Sequence, residues 1–258
     1  MWRIRLDTTA NRLALEVRDP DLLLASFYTM DLGTRHLKQL PLPQGTAWWQ
    51  GLEEAQDSYI YLHGYGDRRM GQHKGVLAVE AGTAAVAWEE TELAFYGMAA
   101  DGMLAYIAAT PEAAFRLLQP ATGQVVQDGI TQQQAAAMVA QHSHLRYRQA
   151  VYPVLYREGE EYFAQVQQFL DSQQLTGATQ AIEYAETDAY LAVSYYVQAA
   201  DSTLQNYMAV FDIEGSLCLK ERLAGGLSGI GSDTFFIFMG DLYFVKDKAI
   251  LKVYRLLA

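Results

Sequence analysis

One pattern recurs along the chain: a short strand-like run, a turn that contains glycine, and a second short run. The runs alternate apolar and polar residues, or are rich in β-branched and aromatic residues, which indicates β-strands. Four glycines occupy the equivalent place in the pattern, namely Gly33, Gly82, Gly123 and Gly215. Their spacings are 49, 41 and 92 residues, the last being about two periods. A period of about 40–50 residues with several strands per unit predicts a series of similar small sheets.

Such a series constrains the fold class. One small sheet cannot bury both of its faces alone, whereas sheets stacked around an axis can, and they then expose only short edges. We therefore predict a mainly all-β fold, a small propeller-like ring of about five or six sheets. Residues 242–246 and 250–256 form a hairpin that lacks an outer strand, and residues 2–6 have the pattern of one. We expect this N-terminal strand to close the last blade.

The middle of the chain, residues 129–178, interrupts the repeat. Thr131 and Gln134 have the spacing of a capping box before residues 135–142, which predicts a short helix. Residues 160–173 place apolar side chains at spacings of three and four, which predicts an amphipathic helix. We interpret residues 129–178 as a partly helical insertion or as a degenerate blade. Because no Pro/Ser-rich linker or charge block divides the chain, we expect residues 1–258 to form a single domain.

Composition excludes several classes of function. The 258 residues carry a formal charge of −11, and a chain this acidic lacks the clustered positive charge that nucleic acids and anionic membrane surfaces require. The one cysteine, Cys218, cannot form an internal disulfide, which fits a reducing compartment. The N-terminal residues have no signal-peptide pattern, and no apolar run is long enough to span a bilayer. We expect a cytoplasmic protein.

Residues 61–75 concentrate positive charge in this acidic chain. They combine cationic and aromatic side chains with glycines that permit close approach, and they are too long for a simple hairpin, so we expect a long loop between two strands. Loops on a rigid scaffold often carry binding residues, and guanidinium groups suit carboxylates and phosphates. The residues predicted to bind a partner or ligand are Tyr65, Arg68, Arg69, His73 and Lys74. The alternative is a solvated basic loop whose charges balance neighbouring acids.

Other candidate groups have simpler explanations. His142 and His144 end a helix, where positive charge is favoured, and no further metal ligand lies nearby in the sequence, so we assign no metal site. Adjacent acids such as Glu53 and Glu54 point to opposite faces of a strand, which indicates surface charge. Asp233 is a better candidate for an inward-facing acid, although an aspartate before a strand commonly forms a turn. We assign no catalytic residue and no cofactor.

Two resemblances follow from these residues. The segment 75–89, in which a strand ends in Glu80, Gly82 and Thr83 follow as the turn, and Trp88 closes the next strand, resembles a blade of the pyrroloquinoline-quinone-type or WD-like propeller repeat. That resemblance implies a fold and nothing about the quinone. The whole chain, with Tyr152, Pro153 and Tyr156 before a central helix, resembles an uncharacterised bacterial family classed as a domain of unknown function, which brings no assigned activity.

Three functions remain open on these grounds. The favoured one is a non-catalytic intracellular scaffold that binds an acidic protein or a small anionic ligand through the loop at residues 61–75. The alternative is a carbohydrate- or ester-active enzyme with a site at the central mouth of the ring that uses His63, Asp233 and a tyrosine. The third is a structural domain that oligomerises through its aromatic strands. A propeller fold can serve any of these functions, so the fold by itself does not choose between them.

Overall fold

The computed structural model describes residues 1, 3–41, 47–67, 69, 71–107 and 114–256. The chain divides into two compact units, Met1–Arg148 and Gln149–Ala258. Each is built mainly from antiparallel sheets, which confirms the predicted fold class. The prediction that the whole chain acts as one domain stays a prediction.

The first unit contains three four-stranded sheets among the described residues, and in each the strands follow one another in chain order. The first sheet is β1 (Arg3–Asp7), β2 (Arg12–Asp19), β3 (Leu24–Asp31) and β4 (Leu37–Leu40). A 3-10 turn at Ala47–Trp49 leads to the second sheet, β5 (Gly51–Gln56), β6 (Tyr59–Asp67), β7 (Gln72–Glu80) and β8 (Val86–Glu90). The third sheet is β9 (Leu93–Ala99), β10 (Gly102–Ile107), β11 (Phe115–Leu118) and β12 (Val125–Ile130).

Helix α1 (Gln132–Arg146) completes the first unit and packs against β9. Thr131 caps its N-terminus with the predicted capping box, in which the Thr131 hydroxyl accepts from the Gln134 backbone N–H and the Gln134 side chain accepts in return. Gly97 on β9 permits the close approach of the helix, because a Cβ there would lie 2.7 Å from a methyl group of Val139. With bounds of Gln132 and Arg146, α1 extends beyond the predicted residues 135–142 at both ends.

The second unit contains the remaining elements. They are β13 (Ala150–Val151), β14 (Val154–Arg157), α2 (Glu161–Ser172), β15 (Ala178–Glu186), β16 (Tyr190–Gln198), β17 (Leu204–Asp212), β18 (Leu217–Leu227), β19 (Phe235–Phe238), β20 (Asp241–Lys246) and β21 (Ile250–Arg255). The fourth sheet has the order β14-β15-β16-β17-β18, and the fifth has the order β13-β19-β20-β21. Helix α2 contacts β14 and β15 and buries Phe163 and Leu170 on its amphipathic face, as the spacing predicts.

The positions of the four glycine turns in the predicted repeat are confirmed. Each of the four glycines lies in the turn before the last strand of a sheet, as the bounds of the flanking strands show. In three of these turns a side chain at the end of the preceding strand, or one residue after it, accepts from a threonine hydroxyl: Asp31 does so at 2.9 Å, Glu80 at 2.6 Å and Gln119 at 2.7 Å. In the fourth turn Asp212 accepts the backbone N–H of Ser216 at 2.8 Å. Similar turn chemistry thus recurs in four sheets.

Neighbouring sheets of the first unit are joined through the same turns. Lys38 on β4 donates to the backbone carbonyl of Gly82 at 2.8 Å, and the Trp88 indole on β8 donates to the carbonyl of Pro120 at 2.7 Å. The Trp88 ring also covers Gly123, where a Cβ would lie 2.7 Å from the indole. The outer strand of one sheet is therefore fastened to the glycine turn of the next, while apolar side chains such as Leu52 and Leu62 fill the space between sheets.

One prediction about the architecture is wrong. The N-terminal strand does not close the last sheet, because β1 pairs with β2 across a short turn and β13 pairs with β19 in the fifth sheet. Pairing with the next strand closes a much shorter loop, which costs less chain entropy than pairing the ends. The interpretation of residues 129–178 as a partly helical insertion or a degenerate blade stays a prediction; in this segment α1 packs in the first unit, and β13 and β14 belong to two different sheets. Trp2, part of the predicted closing strand, lies outside the described residues.

In the described part of the chain no helix has the length and apolar character to cross a membrane.

Candidate functional site

Residues 61–75 form a hairpin rather than the predicted long loop. Strand β6 continues to Asp67 and β7 begins at Gln72, and the two strands pair along most of their length. The sequence suggested a loop because Gly64, Gly66 and Gly75 break the strand pattern. In the structure Gly64 and Gly66 lie inside β6, beside Lys74 of the partner strand, and Gly75 forms a bulge. Glycines inside strands commonly mark such bulges and close approaches.

The bulge at Gly75 decides which side chains meet. His63 pairs with Val76, but the register then shifts, so that Gly64 pairs with Lys74 and Tyr65 with His73. Gly75 has a φ of +83°, a conformation that glycine adopts without strain. Without this extra residue Lys74 would lie opposite Tyr65. The bulge therefore brings His73, and not Lys74, onto the face of the hairpin that carries His63.

A second bulge brings in a carboxylate. Leu52 of β5 pairs with Leu62 of β6, and Glu54 pairs with Tyr61, which leaves Glu53 as the extra residue. Its backbone carbonyl accepts from the Arg5 guanidinium at 2.6 Å. The prediction that Glu53 and Glu54 are surface charges is wrong, because a bulge removes the simple alternation of faces on which it rested.

Glycine at position 51 makes room for His63. Gly51 lies directly opposite His63 in the pairing of β5 and β6. A Cβ at Gly51 would lie 2.3 Å from Cε1 and 2.6 Å from Nε2 of the His63 ring. The imidazole therefore lies flat over the backbone of β5, at a place where any side chain at position 51 would collide with it.

The three side chains form one compact cluster. Oε1 of Glu53 lies 3.0 Å from Nδ1 of His63 and 2.6 Å from Nδ1 of His73. The two imidazole rings stack, with centroids 3.5 Å apart and planes 11° apart. The Tyr65 ring packs edge-on against both, at 5.0 and 5.5 Å, and against Trp49 at 6.0 Å. We call Glu53, His63 and His73 the His–Glu cluster.

Burial within the His–Glu cluster is uneven. His63 is 2% exposed, whereas the side chain of His73 is 36% exposed. Neither ring nitrogen of His63 has a hydrogen-bond partner, since its contact with Glu53 is close but not aligned for a hydrogen bond. A buried polar atom without a partner costs about 1–3 kcal/mol, and such atoms are rare in native proteins. His63 is therefore a buried nitrogen donor whose bonding capacity is unused.

The charges of the cluster are coupled. Burial lowers the pKa of His63, and this effect exceeds the opposing influence of Glu53, so the imidazole is held towards its neutral form. Burial alone would raise the pKa of Glu53, but its close contacts with the two imidazoles outweigh this effect and hold that pKa below its usual value. The Arg3 guanidinium lies 3.7 Å from Oε2 of Glu53 and adds positive charge from the first sheet.

The residues predicted to bind a ligand are placed as follows. Tyr65 packs against the His–Glu cluster, and His73 belongs to it. Lys74 forms an ion pair with Glu92 at 2.9 Å, with side chains 39% and 69% exposed. Arg69 is exposed at the tip of the hairpin. Arg68 lies outside the described residues. The structure thus brings Tyr65 and His73 together and adds Glu53 and His63, which sequence analysis had not assigned to this site.

Glu54 and the helix residue His142 have structural partners. The Arg146 guanidinium, at the end of α1, donates to Glu54 at 3.1 Å, to the carbonyl of Leu6 at 2.7 Å and to the carbonyl of Ala55. His142 contacts the Gln56 side-chain oxygen at 2.8 Å through Nε2. These contacts fasten the end of α1 to the first and second sheets, which accounts for the buried arginine.

Asp233, the predicted inward-facing acid, is a turn residue with a φ of +53°. Its backbone N–H, together with the N–H and hydroxyl of Thr234, donates to the carboxylate of Glu183. The Thr234 hydroxyl also contacts that of Ser194 at 2.9 Å, and Ser194 donates to Asn206 at 2.9 Å. We call this set of bonds the Glu183 network. Asp233 therefore forms a turn. His63, which the enzyme hypothesis places in the same site as Asp233, lies in the other unit.

Comparison with known proteins finds one family match. Residues 6–88 match the model of a domain of unknown function, DUF4905. This range holds most of the first and second sheets and the whole His–Glu cluster. The resemblance to an uncharacterised family is thus supported for this part of the chain. No curated protein matches the sequence.

Several solved structures are distantly similar. The β-propeller domain of the Trilobed protease from Pyrococcus furiosus is 8% identical, with a TM-score of 0.36, 99% of this chain covered and 81% of the other. A prolyl endopeptidase structure is 8% identical, with a TM-score of 0.34 and coverages of 99% and 36%. Hydrazine synthase from Kuenenia stuttgartiensis is 9% identical, with a TM-score of 0.32 and coverages of 93% and 62%. These values carry no activity over to this chain.

Proposed function

We propose that this chain is a non-catalytic binding scaffold and that the β6–β7 hairpin binds an acidic protein segment or a small anionic ligand. The observation that carries the proposal is the hairpin itself, which projects cationic side chains from a packed base in a chain with a formal charge of −11. Arg69 is exposed at the tip, and Lys74 is 39% exposed below it. In an otherwise acidic protein such a tip attracts anionic partners selectively.

The packing beneath the tip supports this proposal. Tyr65 contacts both imidazoles and Trp49, so the base of the hairpin is fixed by rings rather than by flexible chains. A rigid base lowers the entropy lost when the tip binds a partner. The ion pair of Lys74 with Glu92 is solvent-exposed, and pairs of this kind contribute only about 0–1 kcal/mol. A carboxylate or phosphate on a ligand can therefore replace Glu92 at little cost.

The test compares two double variants that remove the same charge. Binding of a short polyglutamate peptide and of inorganic phosphate is measured by calorimetry on the full chain at low salt, for wild type, Arg69→Ala/Lys74→Ala and Arg116→Ala/Lys220→Ala. We expect the hairpin variant to weaken binding about tenfold, equivalent to about 1.4 kcal/mol. The control, whose substitutions lie on β11 and β18, should change it little. If wild type binds neither probe, or both variants lose affinity equally, the proposal is wrong.

The alternative, a carbohydrate- or ester-active enzyme, and the structural oligomer both remain predictions. We also propose that the protein is bacterial and cytoplasmic, that its repeat is WD-like, and that its sheets are arranged in a ring.

A further inference from the structure

We propose that Glu53, His63 and His73 form a site for a divalent transition-metal ion with open coordination positions. The three ligand atoms, two imidazole nitrogens and a carboxylate oxygen, lie within 4.8 Å of one another on adjacent strands of one sheet. This inference does not rest on the proposed function, since metal binding is measured without any anionic partner. It assigns a second role to the side chains below the tip of the hairpin, which the proposed anion binding uses only as a packed base.

The first argument is the unused capacity of His63. This side chain is 98% buried, and neither ring nitrogen has a hydrogen-bond partner. Nδ1 of the ring nonetheless lies 3.0 Å from the Glu53 carboxylate. The fold keeps this arrangement by leaving position 51 without a side chain, because a Cβ there would overlap the ring. A buried, unpartnered nitrogen in a space kept free for its ring needs an explanation, and an ion bound between it and the nearby carboxylate provides one.

The second argument is convergence through two bulges. In regular strands neither Glu53 nor His73 would occupy its present position, because each is set by a register shift in β5 or β7. Bulges often re-aim side chains at functional sites. Here two independent bulges turn a carboxylate and an imidazole towards the same buried histidine, and Nδ1 of each imidazole lies within 3.0 Å of the same oxygen, Oε1 of Glu53.

The donor set indicates which ions fit. Two imidazoles and one carboxylate suit zinc, cobalt, nickel or iron rather than calcium or magnesium, which prefer oxygen ligands alone. Three protein ligands leave at least one coordination position for water or a ligand, as in catalytic rather than structural zinc sites. The exposed side of the cluster, at His73, is where such a position would open.

Binding requires a small local change. A metal ion lies near the plane of each imidazole, about 2.0–2.1 Å from nitrogen, whereas the two rings are stacked 3.5 Å apart. The rings must therefore splay, and the contact between His73 and Glu53 is replaced by bonds to the ion. His73 is able to move because its side chain is 36% exposed. Arg3, 3.7 Å from Oε2 of Glu53, opposes a cation and lowers the affinity.

The test uses the full chain after treatment with a chelator. Cobalt(II) is titrated while its visible absorption is followed, and zinc(II) is titrated by calorimetry, for wild type, His73→Ala, Glu53→Gln and His36→Ala. His36 is an exposed histidine of the first unit outside the cluster, so its variant is the matched control. Thermal unfolding of each variant without metal confirms that it is folded.

We expect wild type and His36→Ala to bind one equivalent of either ion. Both cluster variants should bind at least about tenfold more weakly, because even residues that only orient metal ligands are worth about 10–100-fold in affinity. Absence of one-to-one binding in wild type would overturn the proposal, and so would unchanged affinity in either folded cluster variant. Anion binding by the tip, measured as above, can fail or succeed independently of this result.

Discussion

Glu53 in the first unit and Glu183 in the second both carry a carboxylate into the interior, and their surroundings differ. Glu183 is 1% exposed and accepts from two backbone N–H groups and a hydroxyl, so every bond it needs is supplied by a turn that is fixed in place. Glu53 is 11% exposed and faces two imidazoles, one of which has no hydrogen bond at all. The Glu183 network is complete, whereas the His–Glu cluster has unused bonding capacity next to solvent.

The pKa directions of the two glutamates differ as well. Burial raises the pKa of Glu183, and hydrogen bonds from Thr234 and Asp233 offset this only in part. Burial also acts on Glu53, but the two imidazoles outweigh it and lower its pKa. Complete networks of neutral donors hold a fold together, while clusters with movable charged partners are suited to binding. The comparison is therefore consistent with a structural role for Glu183 and with the proposed binding role of Glu53.

The largest expected effect separates these roles by stability. Glu183→Ala leaves two backbone N–H groups without an acceptor and removes one of the two partners of the Thr234 hydroxyl, and we expect it to lower the free energy of unfolding by about 2–4 kcal/mol. Glu53→Ala should cost less than about 1 kcal/mol, because His73 and Arg3 can turn to water. Urea denaturation measures both values. Equal losses would remove the distinction between the two carboxylates.

A smaller effect is expected at Gly51. Gly51→Ala places a Cβ where the His63 ring lies, so the ring must move or the strands must separate, at a cost of about 1–3 kcal/mol. Gly82→Ala is the matched control, because a Cβ at that position meets nothing within 4 Å. The melting temperatures of the two variants give the answer. A Gly51→Ala protein that melts like the control would mean that His63 is not held where the bulged strands place it.

The smallest effect is a pH dependence. Because the pKa of Glu183 is raised in the folded state, its contribution to stability is fully present below the ordinary glutamate pKa of about 4.3 and is lost as pH rises through the raised value. The stability of wild type relative to Glu183→Gln should therefore be greatest near pH 4 and fall towards neutral pH. Urea denaturation at several pH values measures this difference, and a difference that grows with pH would reverse the assigned sign.

Local features of the sequence predicted the elements well. Glycine turns before the last strands, the capping box at Thr131 and the amphipathic pattern of α2 all depend on residues close in the chain, and the structure confirms them. The prediction of a long loop at residues 61–75 was wrong because it, too, used only residues that are close in the chain. Glycines look alike in a loop and in a bulged strand, and only the partner strand distinguishes them.

The sequence did not predict which strands pair or in which register. The partner of β1, the split of β13 and β14 between two sheets and the role of Glu53 each depend on which strands meet and in which register. A shift of one residue moves a side chain to the other face, and bulges introduce such shifts without a unique sequence signal. Gly51 and Gly75 were the available hints, since each lies beside a residue of the cluster.

The sequence by itself determined that this chain would build a series of small antiparallel sheets, because alternation and turn chemistry act within a few residues. It also placed positive charge at or near the β6–β7 tip, since Arg69 and Lys74 are only five positions apart in the chain. Only the tertiary structure decided that Glu53, 10 and 20 residues before its partners, would meet His63 and His73. Two register shifts made that contact, and register is set by the packing of whole sheets rather than by neighbours in sequence.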